Sequence, residues 1–543
     1  MVDSLLEKTP RGALAVYVGD DDTDEDAFRV ILGRGHGVRV GGTPGDTAAE
    51  YQLNTQEDVQ PFLEKWSKMA TQTARVEIQA EQTGRLVVVS NRLPSIGQGK
   101  GRWQPVGGLA TALTAALSQS DGGGLWVGWS GRTSGAKDRG LTENRLSESV
   151  TLAEIDLTRR EYEAYYTGFA NKTIWPLFHS FPTHAELSVW QLEVYRSVNA
   201  MFAHTLAPTL RENDIVWVHD YHLLLLGREL RRGGWRGQLG FFLHIPFPPL
   251  DILGILPDFA DFLRALQEFD LIGFQRTTDR DNYVYASRRV LDAKWDGEVL
   301  QSGATRQRVG VYPIGIDVDK FVPDPDITHD DRKSLRKTMG DVKLILGVDR
   351  LDYTKGVTER ALAFEILFKL RPELKHHVSF VQICSPSRTN VQKYREQKQL
   401  MDSLVGRING ELAEYDWEPI RYLYRSYPQT DLVRFYNEAS VGLVTPLRDG
   451  MNLVAKEYVA AQSPDDPGVL VLSRFAGAAE ELVEAIIVNP YLPEDTAQGL
   501  LKAIGMPLEE RKERHGALLE RVRSRTIHKW ARDFLTDLRQ ADH

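Results

Sequence analysis

The sequence holds one cysteine, Cys384, among 543 residues. With no second thiol in the chain, an intramolecular disulfide is excluded, and a reducing compartment is the simple expectation. Cys384 ends an apolar run over residues 378–384, where a lone cysteine reads as a small core residue and not as a nucleophile. Long hydrophobic runs are missing too: none approaches the roughly 20 residues that span a bilayer. The start, Met1 to Lys8, has no extended apolar segment behind a basic stretch, so no secretory signal is expected and the cytoplasm is the default. Nor is there a surplus of positive charge. Lys and Arg number 66 against 75 Asp and Glu, a formal net charge of −9, which excludes a global attraction to nucleic acid or anionic membrane. Anionic ligands must therefore be held by local groups of Arg and Lys. Histidine pairs at the helical spacing of a zinc site, with a matching carboxylate, are also lacking, so no bound metal is expected.

What is present is the balance of a soluble globular protein, 42% hydrophobic and 26% charged, at a length that calls for two or three domains. Short apolar runs alternate with amphipathic stretches from residue 86 onward. Strands are expected at 86–90, 125–129, 215–218, 240–245 and 271–274, then at 344–348, 378–384, 420–424, 441–444, 469–472 and 486–488. Helical patterns lie between them, at 190–210, 277–291, 357–370 and 391–404. Strand and helix in alternation predict parallel sheets with helices on both faces. The polar segment 319–343, with Pro323 and Pro325, is the expected linker between two such doubly wound domains, 76–328 and 329–543. Two in series imply a cleft, with ligands at the carboxyl ends of the strands. Residues 1–75 read as a separate small α/β piece: a strand-like run at 14–18, an acid-rich stretch from Gly19 to Asp26, a helix, and a Gly-rich segment at 38–45.

The candidate chemistry sits at predicted strand ends. Residues 347–356 follow a strand and open a helix, and Arg350 and Lys355 there can bracket a diphosphate beside the positive helix end. Taken alone, the fragment fits two solvated surface charges equally well. Residues 445–458 repeat the strand-turn-helix pattern, with Asp449 before Gly450 and a row of backbone N–H groups suited to sugar hydroxyls and phosphate oxygens. Glu457 lies about two helical turns on, within reach of ribose hydroxyls; an N-cap aspartate and an ordinary helix glutamate explain the same letters. In the first domain, one strand ends in His219, Asp220 and His222, and another in His244 before a Pro-rich stretch. Arg92 follows the first strand, and the pair Gly107-Gly108 precedes a helix, a weak phosphate-turn signal by itself. Tyr166 and Trp175 read by composition as core aromatics.

Joined in this order, residues 218–223, 241–248, 272–275, 312–317, 349–356, 445–462 and 475–478 resemble the trehalose-6-phosphate synthases. These are retaining glycosyltransferases with the GT-B fold, an α/β fold of two Rossmann-like doubly wound domains facing a cleft. The resemblance runs from about residue 85 to the C-terminus, and it implies C-terminal helices that pack back on the first lobe. It also implies roles by position. Arg350 and Lys355 would hold the donor diphosphate and Glu457 the donor ribose. Asp449, Gly450, Met451 and Asn452 would line the donor sugar and phosphates, Leu453 and Val454 would offer main-chain N–H groups, and Gly108 would sit on a loop over the donor. Asp220 and His244 would contact the two reacting sugars. Arg92, Tyr166, Trp175 and Arg388 would hold the acceptor phosphate, with Trp129 nearby. The implied reaction moves glucose from a nucleotide-glucose, UDP-glucose favoured, to glucose 6-phosphate. It requires no cofactor, and a homo-oligomer, dimer or tetramer, is expected. With no carboxylate obviously placed as nucleophile, two cations at the diphosphate would stabilise the departing nucleotide in a front-face transfer. Asp220 is the one candidate for a double displacement.

Residues 16–28 resemble the last metal-binding motif of trehalose-phosphate phosphatases of the haloacid-dehalogenase class, in which Asp20 and Asp21 would suit Mg2+. That class places its nucleophile motif upstream. A Pro-Asp-Pro-Asp-Ile-Thr run at 323–328 mimics it but sits in the linker, so residues 1–75 are expected to be a catalytically dead remnant. Three other readings stand beside the main one: a glucosylglycerol-phosphate synthase using glycerol 3-phosphate, a cyclitol-coupling pseudo-glycosyltransferase, and a non-catalytic sugar-phosphate sensor.

Overall fold

The computed structural model describes residues 15–31, 35–42, 47–65, 84–94, 108–118, 123–135, 141–147, 149–322, 340 and 342–541. The chain forms two compact units, Met1–Thr83 and Gly84–His543. The first boundary falls at residue 83, within the polar stretch at 71–84 where composition places it, and residues 84–543 hold both doubly wound sheets in one unit. Gly107, the first of the glycine pair expected to approach phosphate, lies outside the described residues, as does the run at 323–328.

In the first unit, strands β1 (Ala15–Gly19), β2 (Gly35–Val40) and β3 (Tyr51–Leu53) form a parallel sheet in that order. Phe28, on the helix Glu25–Ile31, is buried against it; a Cβ on Gly37 would meet the Phe28 ring at 2.8 Å. Oxygens of Asp20, Asp21 and Asp24 lie within 4.8 Å of one another. Much of that oxygen is already committed. Asp24 accepts the Tyr17 hydroxyl at 2.8 Å and the backbone N–H groups of Asp20 and Asp21 at 2.9 and 3.1 Å, and Asp21 caps the following turn through Thr23 N–H at 2.7 Å.

The second unit has two sheets. The larger contains β4 (Leu86–Arg92), β5 (Gly124–Thr133), β6 (Thr142–Arg145), β7 (Val150–Leu157), β8 (Ile215–His219), β9 (Gln238–Phe242), β10 (Leu271–Phe274), β11 (Lys294–Trp295), β12 (Val299–Ser302) and β13 (Thr305–Val311), in the order β11-β12-β13-β10-β9-β8-β4-β5-β7-β6. Among the described residues its pairs are parallel from β13 through β7, and only the pairs β11-β12, β12-β13 and β6-β7 are antiparallel. The smaller sheet contains β14 (Lys343–Arg350), β15 (Val378–Ser385), β16 (Ile420–Leu423), β17 (Val441–Val444), β18 (Val469–Ser473) and β19 (Ile486–Val488) and is wholly parallel, in the order β16-β15-β14-β17-β18-β19.

Continuous apolar sequence makes these central strands because both faces are covered. Val87 and Val89 enter one core with Leu125 and Val127, whereas Leu86 and Val88 enter the other with Trp126. The C-terminal helix Ile527–Arg539 completes the larger sheet: Phe534 fills the space over Gly240 and Gly273, where a Cβ would meet its ring at 2.9 and 2.8 Å. Strand order reverses between β4 and β8 in one sheet and between β14 and β17 in the other. Those reversals leave crevices at the carboxyl ends of the strands, and chemistry gathers there.

Candidate active site

On the smaller sheet, β14 ends at Arg350 and the chain turns through Tyr353–Lys355 into the helix Val357–Leu370. Gly356 makes that turn at φ 63°, and a Cβ on it would lie 2.3 Å from the Thr445 carbonyl oxygen, so both conformation and space require glycine. The turn sets Lys355 against Asp449, with the ammonium Nζ paired to carboxylate Oδ2 and neither side chain more than 14% exposed. Asn452 donates to the same oxygen at 3.1 Å. Asn452 adopts φ 75° just before the helix Leu453–Ala461, so Leu453 and Val454 open that helix, where main-chain N–H groups have no partner within the helix. Glu457 lies one turn further and accepts the Tyr436 hydroxyl at 3.0 Å; burial pushes its carboxyl up to about 7.

On the larger sheet, β8 delivers Asp220 at φ 75° and ψ 166°, a strained backbone for a residue with a side chain. Its Oδ1 accepts the His244 N–H at 3.3 Å. Burial raises the Asp220 carboxyl to about 6, opposed by neighbouring N–H groups and by the charges of Arg388 and Arg350. Arg350 is exposed at the end of β14, yet its charge reaches Asp220 across the cleft. His244 Nε2 lies 3.1 Å from His219 Nδ1. Burial drives both imidazoles down, His244 to about 3, so the pair is neutral. The lobes touch at this point: a Cβ on Gly450 would fall 2.2 Å from the His244 carbonyl oxygen.

The wall opposite is aromatic. Residues Tyr162–Ile174 form a wide helix closed by i-to-i+5 bonds, the last from Trp175 N–H to the Ala170 carbonyl. Such windings are rare beyond a single turn and frequent at functional sites. Tyr166 stacks on Tyr162 at 5.6 Å and on His222 at 5.7 Å, and its ring lies 5.8 Å from Trp129. Arg92 stands 5.5 Å over Trp129. Arg388, from the loop after β15, adopts φ 42° and lays its guanidinium 3.9 Å over Trp175. Its Nη2 donates to the Tyr221 hydroxyl at 3.0 Å.

The structure therefore gathers Arg350, Lys355, Asp449, Gly450, Met451, Asn452, Leu453, Val454 and Glu457 on one side of the cleft. It gathers Arg92, Trp129, Tyr166, Trp175, Asp220 and His244 on the other, where Arg388 reaches across from the smaller sheet's lobe to Tyr221 and Trp175. Gly108 differs from expectation in form: it is the first residue of the helix Gly108–Ser118. Sequence reasoning missed Asn171, Tyr221, Asp352 and Tyr394, which hydrogen-bond within this same wall. For Asp352 a signal existed, since it sits between Arg350 and Lys355 in the motif. Tyr394 is one of many polar residues on the helix Gln392–Leu412 and carries none.

Two parallel sheets with a cation-rich cleft between their carboxyl ends define a glycosyltransferase of the GT-B type, and the chain belongs to glycosyltransferase family 20, whose model matches residues 84–540. It is 44% identical over 458 residues to the trehalose-6-phosphate synthase of Sinorhizobium fredii (strain NBRC 101917 / NGR234), covering 84% of this chain and 98% of that protein. Its fold matches the UDP-forming alpha,alpha-trehalose-phosphate synthase of Burkholderia xenovorans in complex with glucose-6-phosphate, at a TM-score of 0.80 and 40% identity, over 84% of this chain and all 100% of the other. A structure from E. coli bound with UDP-2-fluoro glucose matches at a TM-score of 0.80 and 39% identity, over 84% and 99% of the two chains. The first compact unit lies outside the family match.

Proposed function

We propose that this chain transfers glucose, with retention at the anomeric carbon, from UDP-glucose to glucose 6-phosphate, releasing UDP and alpha,alpha-trehalose 6-phosphate. The observation that carries the reading is the cleft in which Lys355 pairs with Asp449, Gly450 beside it packs against His244, and the charge of Arg350 at the end of β14 acts on Asp220. The bond from the anomeric carbon to the diphosphate oxygen breaks while the acceptor hydroxyl oxygen bonds to the same face of that carbon. The acceptor proton passes to the departing phosphate oxygen. Arg350 and Lys355 stabilise the charge that develops on the diphosphate, and the reading calls for no metal. Neutral His244 supplies a hydrogen-bond donor to the donor sugar. Asp220 accepts from an acceptor hydroxyl, and with one oxygen already bonded to the His244 N–H it serves better as an acceptor than as a nucleophile. Arg388, Arg92, Tyr166 and Trp175 hold the acceptor phosphate.

We also propose that the chain acts as a homo-oligomer, dimer or tetramer, in the cytoplasm. Among the described residues no helix is long and apolar enough to cross a membrane.

The test is a product analysis. The full chain is incubated with UDP-, ADP- and GDP-glucose, each with glucose 6-phosphate or glycerol 3-phosphate, with and without EDTA. Trehalose 6-phosphate from the UDP donor, unchanged by EDTA, is expected. Transfer to glycerol 3-phosphate alone, or no transfer at all, refutes the reading.

A further inference from the structure

The stretch from Arg350 to Lys355 that carries the donor-side cations also contains a buried anion bonded to Arg388 of the aromatic wall. Asp352 lies between Arg350 and Lys355 and is 0% exposed. Its Oδ1 accepts the Thr354 N–H and hydroxyl, both at 3.0 Å. Its Oδ2 accepts the Tyr394 hydroxyl at 2.8 Å and lies 3.3 Å from Arg388 Nη1. Both oxygens are thus occupied by protein groups, and the carboxylate has no free edge for a substrate. Burial pushes its carboxyl up, but Arg388, the Thr354 N–H, Arg350 and Lys355 outweigh that and hold it below the usual carboxylate range.

Arg388 is the group this anion restrains. It keeps a left-handed backbone at φ 42°, a conformation that persists where the surroundings over-determine it. Nη1 donates to Asp352 and to the Tyr394 hydroxyl, and Nη2 donates to the Tyr221 hydroxyl, itself bonded to Asn171 Oδ1 at 2.8 Å. Three of the five N–H groups a guanidinium offers are thereby engaged, and two remain, enough for a forked pair of bonds to phosphate oxygens. Asp352, Tyr394 and Arg388 belong to the smaller sheet's lobe, whereas Tyr221, Asn171 and Trp175 belong to the larger sheet's lobe. The network therefore spans the cleft.

We propose that Asp352 is a positioning residue for the acceptor phosphate: it fixes the Arg388 guanidinium over Trp175, so that one turn presents the donor-side cations and sets the acceptor subsite. This rests on the reading of Arg388 as a phosphate ligand given above. Loss of the carboxylate frees the guanidinium to rotate and removes a charge-assisted partner, an effect of about 10- to 100-fold on acceptor affinity.

The test is steady-state kinetics on the full chain with the variants Asp352→Asn, Tyr394→Phe, Arg388→Ala and the double variant Asp352→Asn/Arg388→Ala. The wild-type chain is measured first with glucose 6-phosphate. Absence of turnover there would overturn the reaction itself, a result separate from anything the variants report. For Asp352→Asn, the KM for glucose 6-phosphate should rise about 10- to 100-fold while the donor KM stays within about threefold. The double variant should resemble Arg388→Ala alone, because a residue that acts through Arg388 has nothing left to act on. Tyr394→Phe should show the same acceptor-selective rise, smaller in size, and it decides the matter if Asp352→Asn does not fold. Equal rises in both KM values, an unchanged acceptor KM, or additive losses in the double variant would each refute the proposal.

Discussion

Gly450 is where the two lobes come closest to the reacting groups, and replacing it with alanine tests whether that closeness matters. Its conformation is one any residue adopts, so only the added methyl counts. An ideal Cβ there would lie 2.2 Å from the His244 carbonyl oxygen, 3.1 Å from its carbon and 3.2 Å from the Ile245 Cα. All three are backbone atoms, with no side chain to swing aside. Nor can Gly450 retreat, because Gly477 stands behind it so closely that a Cβ on Gly477 would meet the Gly450 carbonyl oxygen at 1.9 Å. The nearest contact is about 1.2 Å short of the 3.4 Å where ordinary contact begins, so the lobes must part by roughly that much. A displacement of about 1 Å between reacting groups costs on the order of 100-fold in rate, and overpacking costs about 1–3 kcal/mol of stability. Gly450→Ala is therefore expected to lose about 100-fold in kcat/KM for trehalose 6-phosphate formation, with a Tm lower by a few degrees. Gly406→Ala is the matched control. Gly406 is exposed on the helix Gln392–Leu412, its Cβ would meet nothing within 4 Å, and alanine there should stabilise by about 0.5–1 kcal/mol with unchanged turnover. Full activity in Gly450→Ala, with its Tm preserved, would refute the argument that this contact sets the cleft.

Lys355→Ala removes one of the two cations assigned to the leaving diphosphate. Product formation should fall about 100- to 1000-fold in kcat, with Lys355→Arg recovering part of it, whereas a sugar-phosphate sensor would lose affinity alone. Glu457 gives a pH signature. Its carboxyl is raised to about 7 from an ordinary 4.5, so the folded state binds the proton more tightly, and that stability is full below about pH 4.5 and lost as pH rises through 7. Glu457→Gln, which never ionises, should match the wild type in thermal melts near pH 5 and exceed it at pH 8.5. Its donor KM should meanwhile rise about tenfold through loss of the charged acceptor. Equal melting differences at both pH values would contradict the assigned burial.

The doubly wound pattern was legible because its strands are buried on both faces and read as continuous apolar runs. Leu271–Phe274, Val441–Val444 and Ile486–Val488 occur as the sequence predicts. What escaped were strands whose letters alternate or turn polar: β7, Val150–Leu157, where Thr151, Glu154 and Asp156 interrupt the apolar letters; β6, with Thr142–Arg145 largely exposed; and β11 to β13 toward the far edge. Of these, β6, β11 and β12 make antiparallel pairs at the sheet margins, where no continuous hydrophobic run is required, whereas β7 is a largely buried parallel strand whose polar letters hid it. The wide helix Tyr162–Ile174 was invisible for a different reason. Its residues satisfy an ordinary helix as well as an i-to-i+5 one, and the choice is made by packing of Tyr165, Phe169 and Ile174 into the core.

The site divides along the same physical line. Arg350, Lys355, Asp449 and Glu457 fall in two strand-turn-helix fragments because parallel strands deliver their following residues to one edge, and such a motif keeps its candidate contacts within about a dozen letters, although each fragment alone fits a surface charge or a helix cap as well. The acceptor wall has no such economy. Arg388 lies over Trp175 and bonds Tyr221, and its anchor Asp352 is tied to Tyr394. Each partner sits on a different element, and two of the links cross from one sheet's lobe to the other's. No local spacing can encode a bond that exists only after two independently wound domains have closed on each other. Hence the donor half is written as motifs and the acceptor half as contacts. It follows that substitutions in the donor motifs should act on turnover directly, whereas those in the Asp352 network should first act on how the two lobes present the acceptor to it.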